Sequence, residues 1–265
     1  MSNLASRVLV AAILAPVALG LVYLGGWAMV ALGVAAAVAG LHELYTMARA
    51  HHPIVIAGIL GGAGMVVGAH AGGLRWVLYA LFLCTFLTFL LTATVPARES
   101  ATGMLGVTLL GPVWVGIGVA SLVLLRDLEP HGLNTLVAVL VGTWMSDIAA
   151  YFGGRALGRR KLAPTISPSK TLEGFLFGVV ACVATVWFLL YGDLATSQRL
   201  PAVGVGIAVA LAAPFGDLFE SFLKRDLGVK DSGTILGGHG GVLDRIDAML
   251  FAGPAALVAV DLLLR

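Results

Sequence analysis

The sequence predicts an all-α, polytopic integral membrane protein of about nine transmembrane helices. Three observations carry that prediction. Of 265 residues, 59% are hydrophobic and only 11% are charged. Mean hydropathy is +1.00. Apolar stretches close to the ~20 residues needed to cross a hydrocarbon core recur along the whole chain. The charged share is roughly half that of an ordinary soluble domain, and a single soluble core of this size could not hide so much apolar surface. A soluble globular enzyme and a disordered chain are therefore excluded. A net charge of +2 leaves no basic footprint for nucleic acid.

Nine stretches qualify or nearly qualify as spans: residues 5–24, 27–46, 54–70, 75–95, 104–125, 133–152, 174–191, 200–222 and 245–264. The start, with Arg7 ahead of an apolar run from Val8, superficially resembles a signal peptide. An equally apolar segment follows without a clear cleavage site, so a retained first span is expected. Connections such as Gly25-Gly26 and Ala71-Gly72-Gly73-Leu74 leave room only for turns. Many of the 35 glycines lie in the spans, among them Gly116, Gly118, Gly204 and Gly206, and small residues let helices approach closely in a bilayer. No internal repeat is visible, so an inverted-repeat transporter gains no support. Cys84 and Cys182 each sit inside an apolar run and are expected to face lipid or pack, not to form a disulfide or a zinc site.

With an inside N-terminus, alternation of nine spans puts twelve of the sixteen basic residues on the inner side, where the positive-inside rule wants them. That bias rests on two loops, 153–173 and 223–245. Residues 1–143 carry nine of the 30 charges, whereas Trp144 to Asp247 carry 19. The expected organisation is therefore a scaffold of about five spans (1–132) and a site-bearing region of about four spans (133–265). The site would be built from the last four helices and the two cytoplasmic loops.

The charged elements follow in order. Asp147 lies near the end of the sixth span with Tyr151 one turn on, either as an interfacial carboxylate or as a site residue. The next loop holds Arg155, Arg159, Arg160, Lys161, Ser167, Lys170 and Thr171. Ser169 or Thr171 can cap the seventh span, whose free N–H groups and dipole favour an anion beside Lys170. Asp217, Ser221 and Lys224 recur at i, i+4 and i+7 with Glu220 adjoining, so one face of the eighth span is polar. Arg225, Lys230 and Asp231 lead into a segment with five glycines in nine residues, 233 to 241, which suits close approach of backbone to a ligand. It is neither a Walker loop nor a dinucleotide fingerprint. His239 within it is a candidate phosphate donor. Asp244 and Asp247 open the ninth span on one face, with Arg245 turned away. Asp217, Asp231, Asp244 and Asp247 supply the hard oxygens that Mg²⁺ takes together with substrate phosphates, so the pattern points to phosphoryl or nucleotidyl chemistry.

The stretch Ser221-x-Leu223-Lys224-Arg225-x₄-Lys230-Asp231-x-Gly233-x₂-Leu236-Gly237-x-His239-Gly240-Gly241-Val242-x-Asp244-Arg245-Ile246-Asp247 resembles the signature of the phosphatidate cytidylyltransferases, the CDP-diacylglycerol synthases. Asp147-x₃-Tyr151-Phe-Gly-Gly-Arg155 and Ser167-Pro-Ser-Lys170-Thr171-x-Glu173-Gly174 are similar to that family's second block. Gly237 departs from the proline of many members without removing a functional group. The resemblance implies that CTP and phosphatidate give CDP-diacylglycerol and pyrophosphate, with Mg²⁺ on Asp217 and Asp244 and a second metal or a monovalent cation left open. It also implies a homodimer in the cell (plasma or inner) membrane, with its site facing the cytoplasm. The role of Asp147 stays open.

The chemistry expected from these residues is charge management, because two polyanions must meet. Lys224, Arg225, Lys230 and Arg245 would offset negative charge, and the N–H groups of Gly240 and Gly241 could hold a phosphate. Lys170, Ser167 and Thr171 would suit either the lipid phosphate or the triphosphate tail. Two rivals remain: a CTP-dependent enzyme on another lipid, including a polyprenol kinase, and a transporter.

Overall fold

Eight helices among the described residues are long and apolar enough to cross a membrane. They are α2 (Gly26–Met47), α3 (Val55–Gly72), α4 (Leu74–Thr94), a composite helix over Ala101–Arg126, α7 (Gly132–Leu157), α8 (Leu172–Tyr191), α9 (Pro201–Asp226) and α10 (Leu243–Leu263). Helix α1 (Asn3–Leu24) takes the first predicted span. The chain is an all-α polytopic membrane protein, and each of the nine expected stretches falls on a helix. The structure is a computed structural model and describes residues 3–95, 100–192, 198–233, 235 and 240–264, with side chains from Leu14 onward.

The composite span is α5 (Ala101–Gly111), a π-helical turn (Pro112–Gly116) and α6 (Ile117–Arg126). Pro112 has no N–H for the helical ladder, and a widened turn absorbs the missing bond. Helix α4 shows the lipid-solvated character most plainly. Its buried residues, Val77, Cys84, Thr88 and Thr92, form one narrow stripe, while Phe82, Leu83, Phe86 and Phe89 point outward. Cys84 and Cys182 are both buried and free, so of the two expected options both take packing.

The chain forms two compact units. The first comprises Met1–Asp127 and Leu227–Ile246. Small residues make its close contacts: Gly58 and Gly111 both lie against the Tyr45 ring, Gly61 against Cys84 and Gly62 against Leu41. The Tyr45 hydroxyl donates to the Thr108 carbonyl at 2.6 Å. Arg126 donates to the carbonyls of Val22 (2.8 Å) and Tyr23 (2.9 Å), which lie in the last turn of α1 and lack helical partners.

The second unit comprises Leu128–Asp226 and Asp247–Arg265. Here α7 and α8 meet through a ladder of small residues. A Cβ on Gly174 would stand 2.6 Å from the Ala150 carbonyl, and one on Gly178 would stand 2.9 Å from the Ser146 carbonyl. Gly142 and Gly153 similarly admit Val186 and Phe177. Spacing of this small-xxx-small kind brings backbones together where lipid offers no hydrophobic drive.

Three boundaries differ from expectation. Helices α7 and α9 run to Leu157 and Asp226, past the expected span ends, so Arg155 is a helical residue and not a loop residue, while Lys224 and Arg225 are helical as the polar face of the eighth span requires. Between α7 and α8 the expected loop is partly an antiparallel ribbon, β1 (Lys161–Ala163) with β2 (Ser167–Thr171), in register Lys161↔Thr171 and Ala163↔Ser167. Its turn, Ala163-Pro-Thr-Ile166, closes by a 3.2 Å bond from the Ile166 N–H to the Ala163 carbonyl, with proline where its fixed φ favours the turn.

The glycine ladder makes a contrast that thermal unfolding in detergent can read. Gly178→Ala forces α7 and α8 apart at a backbone carbonyl, and is expected to cost about 1–3 kcal/mol. Gly106→Ala meets nothing within 4 Å and is expected to be neutral or to gain up to about 1 kcal/mol. Equal melting temperatures for the two variants would contradict the packing account.

Candidate functional site

In the second unit, α7, the β1–β2 ribbon, α8 and α9 surround a cavity of about 520 Å³. Its polar lining comes from Ser146, Asp147, Tyr151 and Arg155 of α7, Ser169, Lys170 and Thr171 of β2, and Asp217 of α9. Asp147, Tyr151 and Arg155 recur every four positions and so share a face. The Arg155 guanidinium donates to the Tyr151 hydroxyl at 3.2 Å. Two of the lining residues form an ion pair in which Lys170 Nζ lies 2.6 Å from Asp217 Oδ2. Ser221, one turn on, donates to Asp217 Oδ1 at 3.2 Å. The carboxylate is therefore fixed from two sides by groups of different elements.

The flanking residues explain how the ribbon is held. Thr171 is the N-cap of α8, its hydroxyl accepting from the Gly174 N–H at 3.1 Å. Glu173 Oε2 accepts from the N–H groups of Arg159 and Arg160 at 2.9 and 3.1 Å, which ties the chain leaving α7 to the start of α8. Ser167 is half-buried in the ribbon opposite Ala163 and is not in the cavity lining. The polar face expected on α9 is present, with Lys224 donating to the buried Glu220 at 3.1 Å, while Arg225 is exposed. Asp247 Oδ1 accepts from the Ala248 N–H at 2.8 Å. Gly216 lets α9 approach α10 at the Asp247 carbonyl, where a Cβ would collide.

In the first unit, the glycine-rich segment closes on a carboxylate that sequence reasoning passed over. Glu43 of α2 is only 2% exposed. Its Oε1 accepts from the Val242 N–H at 3.0 Å, and its Oε2 accepts from the Leu243 N–H at 2.9 Å and the Ser232 hydroxyl at 3.2 Å. Gly233 and Gly241 abut this carboxylate so closely that a Cβ on either would overlap it. Asp244 Oδ2 accepts from the N–H groups of Ser232 (3.1 Å) and Gly241 (2.9 Å). Gly240 adopts φ +80°, a conformation glycine takes without strain.

The Gly241 N–H, a candidate phosphate donor, donates to Asp244 Oδ2 in the first turn of α10. Lys170, a candidate phosphate group at the start of α8, is paired with Asp217. Lys230, Asp231 and Arg245 are exposed, and His239 lies outside the described residues. Asp217 and Asp244 belong to different units, and each is placed by its own neighbours. Among the described residues no group of three His, Cys, Asp or Glu side chains forms a metal cage.

A polytopic chain with a lysine–carboxylate cavity at its helix ends has the features of an integral membrane protein that handles an anionic substrate. Comparison with known proteins gives that class its family. Residues 5–263 match the cytidylyltransferase family. The chain is 35% identical to the phosphatidate cytidylyltransferase of Brucella suis biovar 1 (strain 1330), over 95% of this chain and 91% of that protein. It is 31% identical to that of Staphylococcus aureus (strain COL), over 94% of this chain and 95% of that protein. Against that of Bacillus subtilis (strain 168) it is 39% identical over 69% of this chain and 68% of that protein. The chain belongs to the cytidylyltransferase family.

The ion pair makes a prediction of its own. Lys170 and Asp217 are 25% and 37% exposed to the cavity, so water screens them. Lys170→Gln is expected to lower stability by only about 1 kcal/mol, well short of the 3–5 kcal/mol of a dry pair, while removing substrate turnover. A fall in melting temperature as large as that of Gly178→Ala, with turnover kept, would make the pair structural instead.

Proposed function

We propose that this protein transfers the cytidylyl group of CTP to phosphatidate, giving CDP-diacylglycerol and pyrophosphate. The single observation that carries the reading is the cavity in which Lys170 and Asp217 meet beside Asp147 and Arg155, in a chain whose relatives over nearly its full length are phosphatidate cytidylyltransferases. A phosphatidate oxygen attacks the α-phosphorus of CTP, and the bond to the β-phosphate breaks to release pyrophosphate. The lipid phosphate is already anionic near neutral pH, so no strong general base is needed. The barrier is the approach of two polyanions. Lys170 and Arg155 neutralise phosphate charge in the cavity, where fixed cations act without reorganisation. Asp217 keeps the Lys170 ammonium in place before substrate arrives, and Ser221 fixes the carboxylate's orientation.

Magnesium is part of the same proposal. The resemblance assigns it to Asp217 and Asp244, and their oxygen-only donors suit an ion held by one or two carboxylates plus substrate phosphates. Such an ion supplies neutralisation of triphosphate oxygens and of the leaving group. Lys224, Arg225, Lys230 and Arg245 are basic groups that reinforce the positive potential for a nucleotide. The reading further takes the site to face the cytoplasm, supported by twelve of sixteen basic residues falling on that side of the nine-span alternation. It places the protein in the cell membrane, and it takes the homodimer from the family resemblance.

The test is pyrophosphate release from CTP by purified protein in detergent. Release is expected to require both phosphatidate and Mg²⁺, to stop on chelation with EDTA, and to vanish in Asp217→Ala. Release indifferent to phosphatidate, or supported equally by another phosphorylated lipid, would move the acceptor elsewhere.

A further inference from the structure

We propose that Glu43 is a positioning residue for the reaction: buried at the end of α2, it ties Ser232 to the first turn of α10 and thereby sets the direction of the Asp244 carboxylate. The inference rests on the reading of Asp244 as part of the cytidylyl-transfer site. Its evidence is a connected set of bonds within the first unit.

A carboxylate inside an apolar span is costly unless donors meet it. Glu43 is the sole Asp, Glu, Lys or Arg of α2, and it is met by three donors: the Val242 and Leu243 N–H groups and the Ser232 hydroxyl. The first two are N–H groups at the start of α10 that have no helical partner, and a carboxylate there also complements the helix dipole. The third passes the constraint on. The Ser232 hydroxyl that donates to Glu43 also accepts from the Asp244 N–H at 3.3 Å, a dual role open to a hydroxyl. The Ser232 N–H in turn donates to Asp244 Oδ2. Glu43, Ser232 and Asp244 thus form one chain of bonds, closed by the Gly241 N–H on the same Oδ2.

The glycines fit this role. Gly233 and Gly241 lack a Cβ where one would strike the Glu43 carboxylate, so the two ends of the segment converge on it. Outer-shell partners of a ligating carboxylate are worth about tenfold or more in metal affinity or activity, which is the size of effect expected for Glu43.

The test uses Glu43→Gln and Ser232→Ala in the full-length protein, with two readouts. Amide hydrogen exchange at residue resolution, without substrate or metal, should show faster exchange at Ser232 and Gly241 in Glu43→Gln. Those two amides donate to Asp244 and not to Glu43, so their loss of protection reports the transmitted effect. The Mg²⁺ concentration for half-maximal cytidylyl transfer should rise by about tenfold in both variants. Faster exchange confined to Val242 and Leu243, with Mg²⁺ half-saturation unchanged, would make Glu43 a local helix cap and overturn the proposal. Ser232→Ala keeps the bonds from Glu43 to α10, so it judges the proposal by itself if Glu43→Gln does not fold; unchanged Mg²⁺ half-saturation in that variant overturns it. Absence of cytidylyl transfer in the wild type would overturn the functional reading, and the exchange pattern would still decide whether Glu43 orients Asp244.

Discussion

A carboxylate on an apolar span must be met by donors, and the connections of the fold are arranged around that constraint. Each unit answers it by bringing donors from a connecting segment to a carboxylate on a span. Glu43 takes the Ser232 hydroxyl and two N–H groups at the start of α10. Asp217 takes the Lys170 ammonium from the β1–β2 ribbon. Glu173 takes two N–H groups from the chain that leaves α7. Connections that would otherwise be free are drawn against the helix ends, and the groups suited to phosphate chemistry gather there as a result. In each unit by itself, the candidate site residues lie where an apolar fold meets its own carboxylates with donors.

Small residues set how closely this can be done. The ladder of Ser146, Ala150 and Gly154 facing Gly174 and Gly178 lets α7 and α8 touch at backbone carbonyls, and so narrows the wall that carries Asp147 to within reach of the ribbon. In the first unit the glycines beside Glu43 serve electrostatics more than helix packing, because any side chain there would displace the carboxylate. The same residue type therefore has two physical uses in this chain. Only the surroundings, and not the residue itself, tell them apart.

The parts that depend on local pattern were legible from the amino acids. Nine apolar stretches mark the helices, Thr171 stands where an N-cap should, and the i, i+4 pair Asp217–Ser221 forms as a bond. What was not legible depends on distant contacts or on backbone irregularity. The ribbon strands are three and five residues long, too short for an alternating pattern to register. The π-helical turn at Pro112 lies inside an apolar run that reads as one span. Glu43 stood as a single charge among many apolar residues, and its partners lie 189 to 200 positions away. Its one local sign was an acidic residue inside a predicted span, near its end. The pairing of Lys170 with Asp217 likewise joins two motifs that had been read as separate pieces of chemistry.

The central claim is that this membrane site moves a nucleotidyl group and not a terminal phosphate, and the fate of each phosphorus of CTP decides it. Purified protein would be given phosphatidate and Mg²⁺ with CTP labelled either at the α- or at the γ-phosphorus, followed by separation of lipid from aqueous products. The account predicts α-label in the lipid and γ-label in aqueous pyrophosphate. Label from the γ-phosphorus in the lipid would contradict it and identify a lipid kinase built on the same fold.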